Sequence, residues 1–233
     1  MGRGYSDIAA LLGSMDLHIP CLYAIIDAEQ IGQASPLVIC QALLAAGVRL
    51  IQYRDKKASS RDLFTVSREL LAYVRQAGGM FIVNDRTDVA LAVDADGVHL
   101  GQEDLPVELA RRMLGKGRVI GFSTHSAEQV SEADTTSADY IAFGPISPTQ
   151  SKEKPDPVVG LAGLRQARKL TRKPLVAIGG ITLEMVPAVI AAGADSVAVI
   201  RDLLQAPDIA QRACEFLRAC EEVGSSPAGQ FGS

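Results

Sequence analysis

The stretch AAGVRLIQYR at residues 45–54 decides the fold: a helix end, a turn at Gly47 and a strand whose apolar run finishes on polar residues. The same rhythm returns as ADGVHLG at 95–101 and as AAGADSVAVI at 191–200, so one helix-to-strand unit is reused along the chain. Strands joined by helical crossovers lie parallel. Working outward, short β-rich runs near 22–27, 49–54, 80–84, 97–100, 118–123, 140–144, 174–178 and 196–200 alternate with longer helical patterns. Between two of them, residues 60–76 place Leu63, Val66, Leu70, Leu71 and Val74 at helical spacing. Eight strands are what a closed barrel needs, and the expected fold is α/β, a single-domain (β/α)8 TIM barrel. Residues 1–20 read as an N-terminal extension, 21–223 as the barrel and catalytic domain, and the small, polar, proline-broken stretch 224–233 as a disordered tail.

Bulk properties agree with one domain. The chain has 233 residues, and its 48% hydrophobic content is enough for a large core. A net charge of −4 gives no electrostatic reason to expect nucleic acid as a partner. No apolar run is long enough to export the chain or to span a membrane, and the run at 187–200 is broken by Gly193 and Asp195. Cys21, Cys40, Cys214 and Cys220 lack metal-site spacing and read as reduced packing thiols, which fits a cytoplasmic enzyme.

Six strand-like segments run into polar or glycine-rich turns. These are Gln52-Tyr53-Arg54-Asp55-Lys56, Asn84-Asp85, Gly101-Gln102-Glu103-Asp104, Ser123-Thr124-His125, Thr149-Gln150-Ser151-Lys152 and Gly179-Gly180-Ile181. In a parallel barrel every strand ends on one rim, so these groups share a mouth. Gln52, Arg54 and Lys56 alternate onto one face, and two cations there suit phosphate oxygens. Asp85 either helps to start the next helix or, with Asp104 from the neighbouring loop, holds a Mg²⁺ that also binds phosphate. The loop from Pro145 through Lys152 to Pro157 reads as a plain solvent loop or as an anion-binding segment. The Gly179-Gly180 turn ahead of a helix near Leu183 supplies a second anion site. His99 reads as a hydrogen-bonded structural residue. His125 stands at a strand end, where it either faces ligand or is structural, and neither histidine is assigned to the chemistry.

The strings QYRDK at 52–56, VNDRTDVALAVDADGVHLGQEDLP at 83–106, GFSTHS at 121–126, GPISPTQSK at 144–152 and AIGGI at 177–181 resemble the thiamine phosphate synthase family over roughly residues 20–205. The resemblance implies a transferase that couples hydroxymethylpyrimidine diphosphate to thiazole phosphate and releases diphosphate. It implies pyrimidine diphosphate contacts at Gln52, Arg54, Lys56, Asn84, Ser123 and Lys152, with the whole segments 52–56 and 149–152, including Tyr53, Asp55 and Gln150, lining the substrates. Arg54, Lys56, Ser123 and Lys152 would assist the chemistry. Mg²⁺, or Mn²⁺ in its place, would sit on Asp85 and Asp104, and Thr149, Ser151, Gly180, Ile200 and Arg201 would meet the thiazole phosphate. Arg201 departs from the small hydroxyl residue usual at that position. A thiazole tautomerase of the same barrel family and a non-catalytic phosphate-metabolite sensor are the alternatives; the first tends to lose the metal and diphosphate motifs, which are present here.

Overall fold

The structure is a computed structural model that describes residues 17–148 and 156–225. Its strands are β1 (Leu22–Asp27), β2 (Leu50–Arg54), β3 (Met80–Asn84), β4 (Gly97–Leu100), β5 (Val119–Thr124), β6 (Tyr140–Phe143), β7 (Leu175–Ile178) and β8 (Ser196–Val199). The helices are α1 (Pro36–Ala45), α2 (Ser60–Gln76), α3 (Thr87–Val93), α4 (Val107–Leu114), α5 (Ala127–Asp134), α6 (Gly160–Leu170), α7 (Val186–Ala191), α8 (Arg201–Leu204) and α9 (Ile209–Ser225), with a 3-10 turn at Leu183–Met185. The strands close in sequence order, all parallel, and β1 pairs with both β2 and β8. Among the described residues, no helix is long and apolar enough to cross a membrane.

Local chemistry sets the boundaries. Ser59 caps α2, accepting from the Asp62 N–H at 3.1 Å while its hydroxyl donates to the Asp62 carboxylate. Leu63, Leu70, Leu71 and Val74 then bury one face against the sheet. Side-chain alternation along each strand makes two cores. Residues such as Leu22, Ile51, Tyr53, Phe81, Val98 and Ile120 pack outward beneath the helices, whereas Tyr23, Ile25, Leu50, Ile82, Tyr140, Ala142, Val176 and Ala198 fill the barrel.

Two expectations change. Residues 17–20, assigned to the extension, belong to the domain, because Ile19 is buried in the barrel interior and Leu17 packs against the same cluster. Residues 1–16 and 226–233 lie outside the described residues, and α9 runs two residues into the expected tail. Cys21 and Cys220, read as reduced thiols, form a disulfide with Cα atoms 6.0 Å apart, while Cys40 and Cys214 are free. The pair is 199 residues apart in sequence and meets only because α9 packs back against β1. Cys40 fits the packing role: burial pushes its thiol up to about 12, far from a reactive thiolate.

Candidate active site

Strand parity places Gln52 and Arg54 inside the barrel. Arg54 meets a partner that the sequence had not suggested: its Nη1 lies 2.6 Å from Oδ2 of Asp27, a fully buried carboxylate at the end of β1. Asp27 and Arg54 are register partners, so the first two strands clamp the guanidinium at the mouth. Burial raises the Asp27 carboxyl above its ordinary value, and the Arg54 charge pulls against that rise. Tyr53 and Asp55, expected among the substrate contacts, are turned away. Tyr53 is buried in the core beneath the helices and donates to Asp55, while Asp55 accepts from the backbone N–H groups of Lys57 and Ala58 and so builds the turn.

Asp85 follows Asn84 with φ at +60°, a left-handed conformation that favours glycine, asparagine or aspartate. Its N–H bonds to the carbonyl of His99, which fixes the turn against β4. Asp104 is steered by the Gly101 N–H, 2.7 Å from its Oδ2. The two carboxylates interact directly, and burial together with Asp104 pushes the Asp85 carboxyl up to about 6. Lys56 Nζ, 3.3 Å from Oδ2 of Asp85, offsets only part of this. Two hard oxygen donors held together at an energetic cost fit a divalent cation that keeps most of its water. Among the described residues no group of three or more metal-binding side chains exists, and at this rim Asp85 and Asp104 offer a cation two carboxylates.

Ser123 ends a hydrogen-bonded chain that crosses the barrel. Gln52 Nε2 lies 2.6 Å from the Tyr23 hydroxyl, which is 2.9 Å from the Tyr140 hydroxyl; that in turn is 2.9 Å from His99 Nδ1, and His99 Nε2 is 2.9 Å from Ser123 Oγ. Tyr23 and Tyr140 are fully buried. Asn84, the register partner of His99, is half-buried on the same inward face of β3. His125 is structural, since its Nδ1 lies 2.7 Å from the Gly144 carbonyl and its Nε2 lies 3.5 Å from Asp156.

The loops after β6 and β7 pack together. Ile146 and Ser147 donate to the carbonyls of Ile178 and Gly179. At Gly180, with φ at +65°, an added Cβ would stand 2.6 Å from the Pro148 carbonyl oxygen and 2.7 Å from that of Ser147. Glycine is therefore required on two independent grounds. Beyond it comes the short 3-10 turn in place of a full helix start, its Leu183 N–H held by Asp202 at 2.7 Å. Ile200 follows β8 against the interior cluster and Arg201 opens α8, beside the Asp202 carboxylate that pairs with Arg212 at 3.1 Å. Thr149, Gln150, Ser151 and Lys152 lie outside the described residues.

Residues 22–203 match the family model described as thiamine monophosphate synthase. The chain is 50% identical over 206 residues to the thiamine-phosphate synthase of Koribacter versatilis, covering 87% of this chain and 96% of the relative. It is 42% identical over 192 residues to the thiamine-phosphate synthase of Moorella thermoacetica, covering 82% and 91%. A solved thiamine phosphate pyrophosphorylase from Pyrococcus furiosus superposes with a TM-score of 0.79 at 37% identity, covering 87% of this chain and 96% of that one. With its closed parallel barrel and the polar rim described above, the chain belongs to the thiamine monophosphate synthase family.

Proposed function

We propose that this chain is a transferase that couples 4-amino-2-methyl-5-hydroxymethylpyrimidine diphosphate to thiazole phosphate, giving thiamine phosphate and diphosphate. The observation that carries the reading is the meeting of Asp85 and Asp104 beside Lys56, on the rim where Arg54 is clamped by Asp27. A tautomerase has no use for that arrangement; a diphosphate-leaving reaction does.

In the proposed reaction the bond between the pyrimidine methylene and the diphosphate oxygen breaks, and the electron-rich aminopyrimidine ring stabilises the resulting cation. The thiazole nitrogen then supplies the electron pair of the new C–N bond. Arg54 and Lys56, with Lys152, bind the departing diphosphate and stabilise its growing charge. Mg²⁺, or Mn²⁺ in its place, held by Asp85 and Asp104 would add neutralising charge to the phosphate oxygens. Gln52, Asn84 and Ser123 orient the pyrimidine, and Gly180 lets the thiazole phosphate approach the backbone, with Thr149, Ser151, Ile200 and Arg201 completing that cup. Holding both rings in one mouth supplies orientation and limits capture of the cation by water.

The test is incubation of the purified protein with both substrates and Mg²⁺, assaying thiamine phosphate and diphosphate together. Equal amounts of both are expected. Binding of both substrates without diphosphate release would identify a sensor, and isomerisation of a thiazole without coupling would identify a tautomerase.

A further inference from the structure

The chain of contacts across the barrel has a direction. Gln52 Nε2 can only donate, so the Tyr23 hydroxyl accepts from it; the Tyr23–Tyr140 contact admits either donor, and the buried Tyr23 proton is satisfied when Tyr140 accepts it. With that polarity Tyr140 donates to Nδ1 of His99, the ring carries a single proton on Nε2, and Ser123 Oγ accepts from it; both contacts fit this tautomer at 2.9 Å. The hydroxyl proton of Ser123 is then directed onward to the mouth, and the Gln52 carbonyl faces away from Tyr23. If the amide were turned over, every proton in the chain would move with it: His99 would carry its proton on Nδ1 and Ser123 would donate inward. With every proton in the chain satisfied, the two ends change together.

The barrel is shaped for this chain. Tyr140 crosses the interior directly over Gly121, where an added Cβ would stand 2.0 Å from the ring Cζ and 2.3 Å from the hydroxyl oxygen. Its ring stacks on His99 at 5.6 Å between centroids and meets Tyr23 edge-on at 6.1 Å. Burial raises both phenols well above their ordinary range, so each remains a neutral donor.

We propose that Tyr23, Tyr140 and His99 are positioning residues that set the hydrogen-bond polarity of Gln52 and Ser123, and that this polarity selects an aminopyrimidine over its oxo counterpart. The proposal rests on the functional reading above. An outward hydroxyl proton and an outward amide carbonyl complement a ligand that offers a ring-nitrogen acceptor and an exocyclic amino donor. The oxo ring offers a carbonyl acceptor and a ring N–H donor in the opposite order, and buried mispaired groups reject strongly.

The experiment has two parts. Nitrogen-15 NMR of His99 in the ligand-free protein should show a single neutral tautomer protonated on Nε2; an Nδ1-protonated ring overturns the proposed polarity. Competitive binding of the amino- and oxo-pyrimidine diphosphates then compares the unmodified protein with Tyr140→Phe, which keeps the ring and removes the link. We expect the preference for the amino form to fall at least about tenfold, with loss of the single His99 tautomer and unchanged thiazole phosphate affinity. Tyr23→Phe should act alike, which guards against a folding defect in one variant. An undiminished preference in both variants overturns the positioning role. Failure of the unmodified protein to bind the aminopyrimidine diphosphate removes the functional reading and the recognition role with it, whereas the tautomer result judges the chain alone.

Discussion

The two ends of the barrel use aspartate in opposite ways. At the end where strands begin, Asp96, Asp139 and Asp195 each accept from a backbone N–H of the preceding strand, those of Phe81, Ile120 and Leu175, at 2.7–2.8 Å. Each is met by an arginine from the helix before that strand: Arg75 of α2, Arg111 of α4 and Arg168 of α6. The device recurs every second βα unit and staples neighbouring strands. At the end where strands finish, Asp85 and Asp104 are set against each other, with Lys56 as a partly exposed partner of Asp85. Satisfied charge marks the stabilising end, and charge left in tension marks the end built for a ligand.

The largest expected effect is on the carboxylate pair. Asp85→Ala and Asp104→Ala should each reduce Mg²⁺-dependent coupling by about a thousandfold or more while the protein stays folded. At the other end, Asp139→Ala should cost about 2 kcal/mol of stability in denaturant melts, since it leaves the Ile120 N–H without its acceptor and Arg111 without its carboxylate, and leave the turnover of folded protein unchanged. Near-normal turnover in either rim variant with unaltered metal dependence would erase the contrast.

How much of this was legible depends on range. The strands and α2 could be read because apolar runs, period-two alternation and the helical spacing of Leu63, Val66, Leu70, Leu71 and Val74 are local signals. The inward face of β2 was legible for the same reason, although taking 52–56 whole swept in Tyr53 and Asp55, whose parity turns them outward. The Asp27–Arg54 clamp depends on the register between β1 and β2, and the Tyr23–Tyr140 contact spans 117 residues. Neither can be read from periodicity. One signal was present for the interior chain: Gly121 in mid-strand marks a place where something passes close to the backbone. The Cys21–Cys220 pairing left no local trace.

The next comparison lies within the mouth. Arg54→Ala should weaken pyrimidine diphosphate binding by about a hundredfold, because it removes a charge-assisted contact worth up to about 3 kcal/mol. Gly180→Val should chiefly weaken thiazole phosphate binding, because the side chain drives into the Ser147 and Pro148 carbonyls. Direct titrations decide; equal losses for both ligands in both variants would merge the two anion sites into one. Smaller still is Arg201→Ser, for which we expect about a tenfold loss for thiazole phosphate alone. Unchanged affinity would leave that cup to Thr149, Ser151 and Gly180.

The tension at the rim also has a pH signature. In metal-free protein the Asp85 carboxyl titrates at about 6 instead of its ordinary 3.8, so its ionisation opposes folding. The associated stability is present below about pH 4 and is lost as pH rises through about 6. Mg²⁺ affinity should run the other way, falling as the solution is acidified below about pH 6 because protons compete for the same oxygens.

The most direct test is Asp85→Asn, since asparagine tolerates the left-handed backbone and removes only the charge. Metal-free stability and Mg²⁺-dependent coupling are measured together at pH 7. The account predicts stability that holds or rises by about 1 kcal/mol as the repulsion is relieved, with coupling lost. A variant that is destabilised like Asp139→Ala and still couples at the normal rate would show that Asp85 braces the fold and would contradict the account.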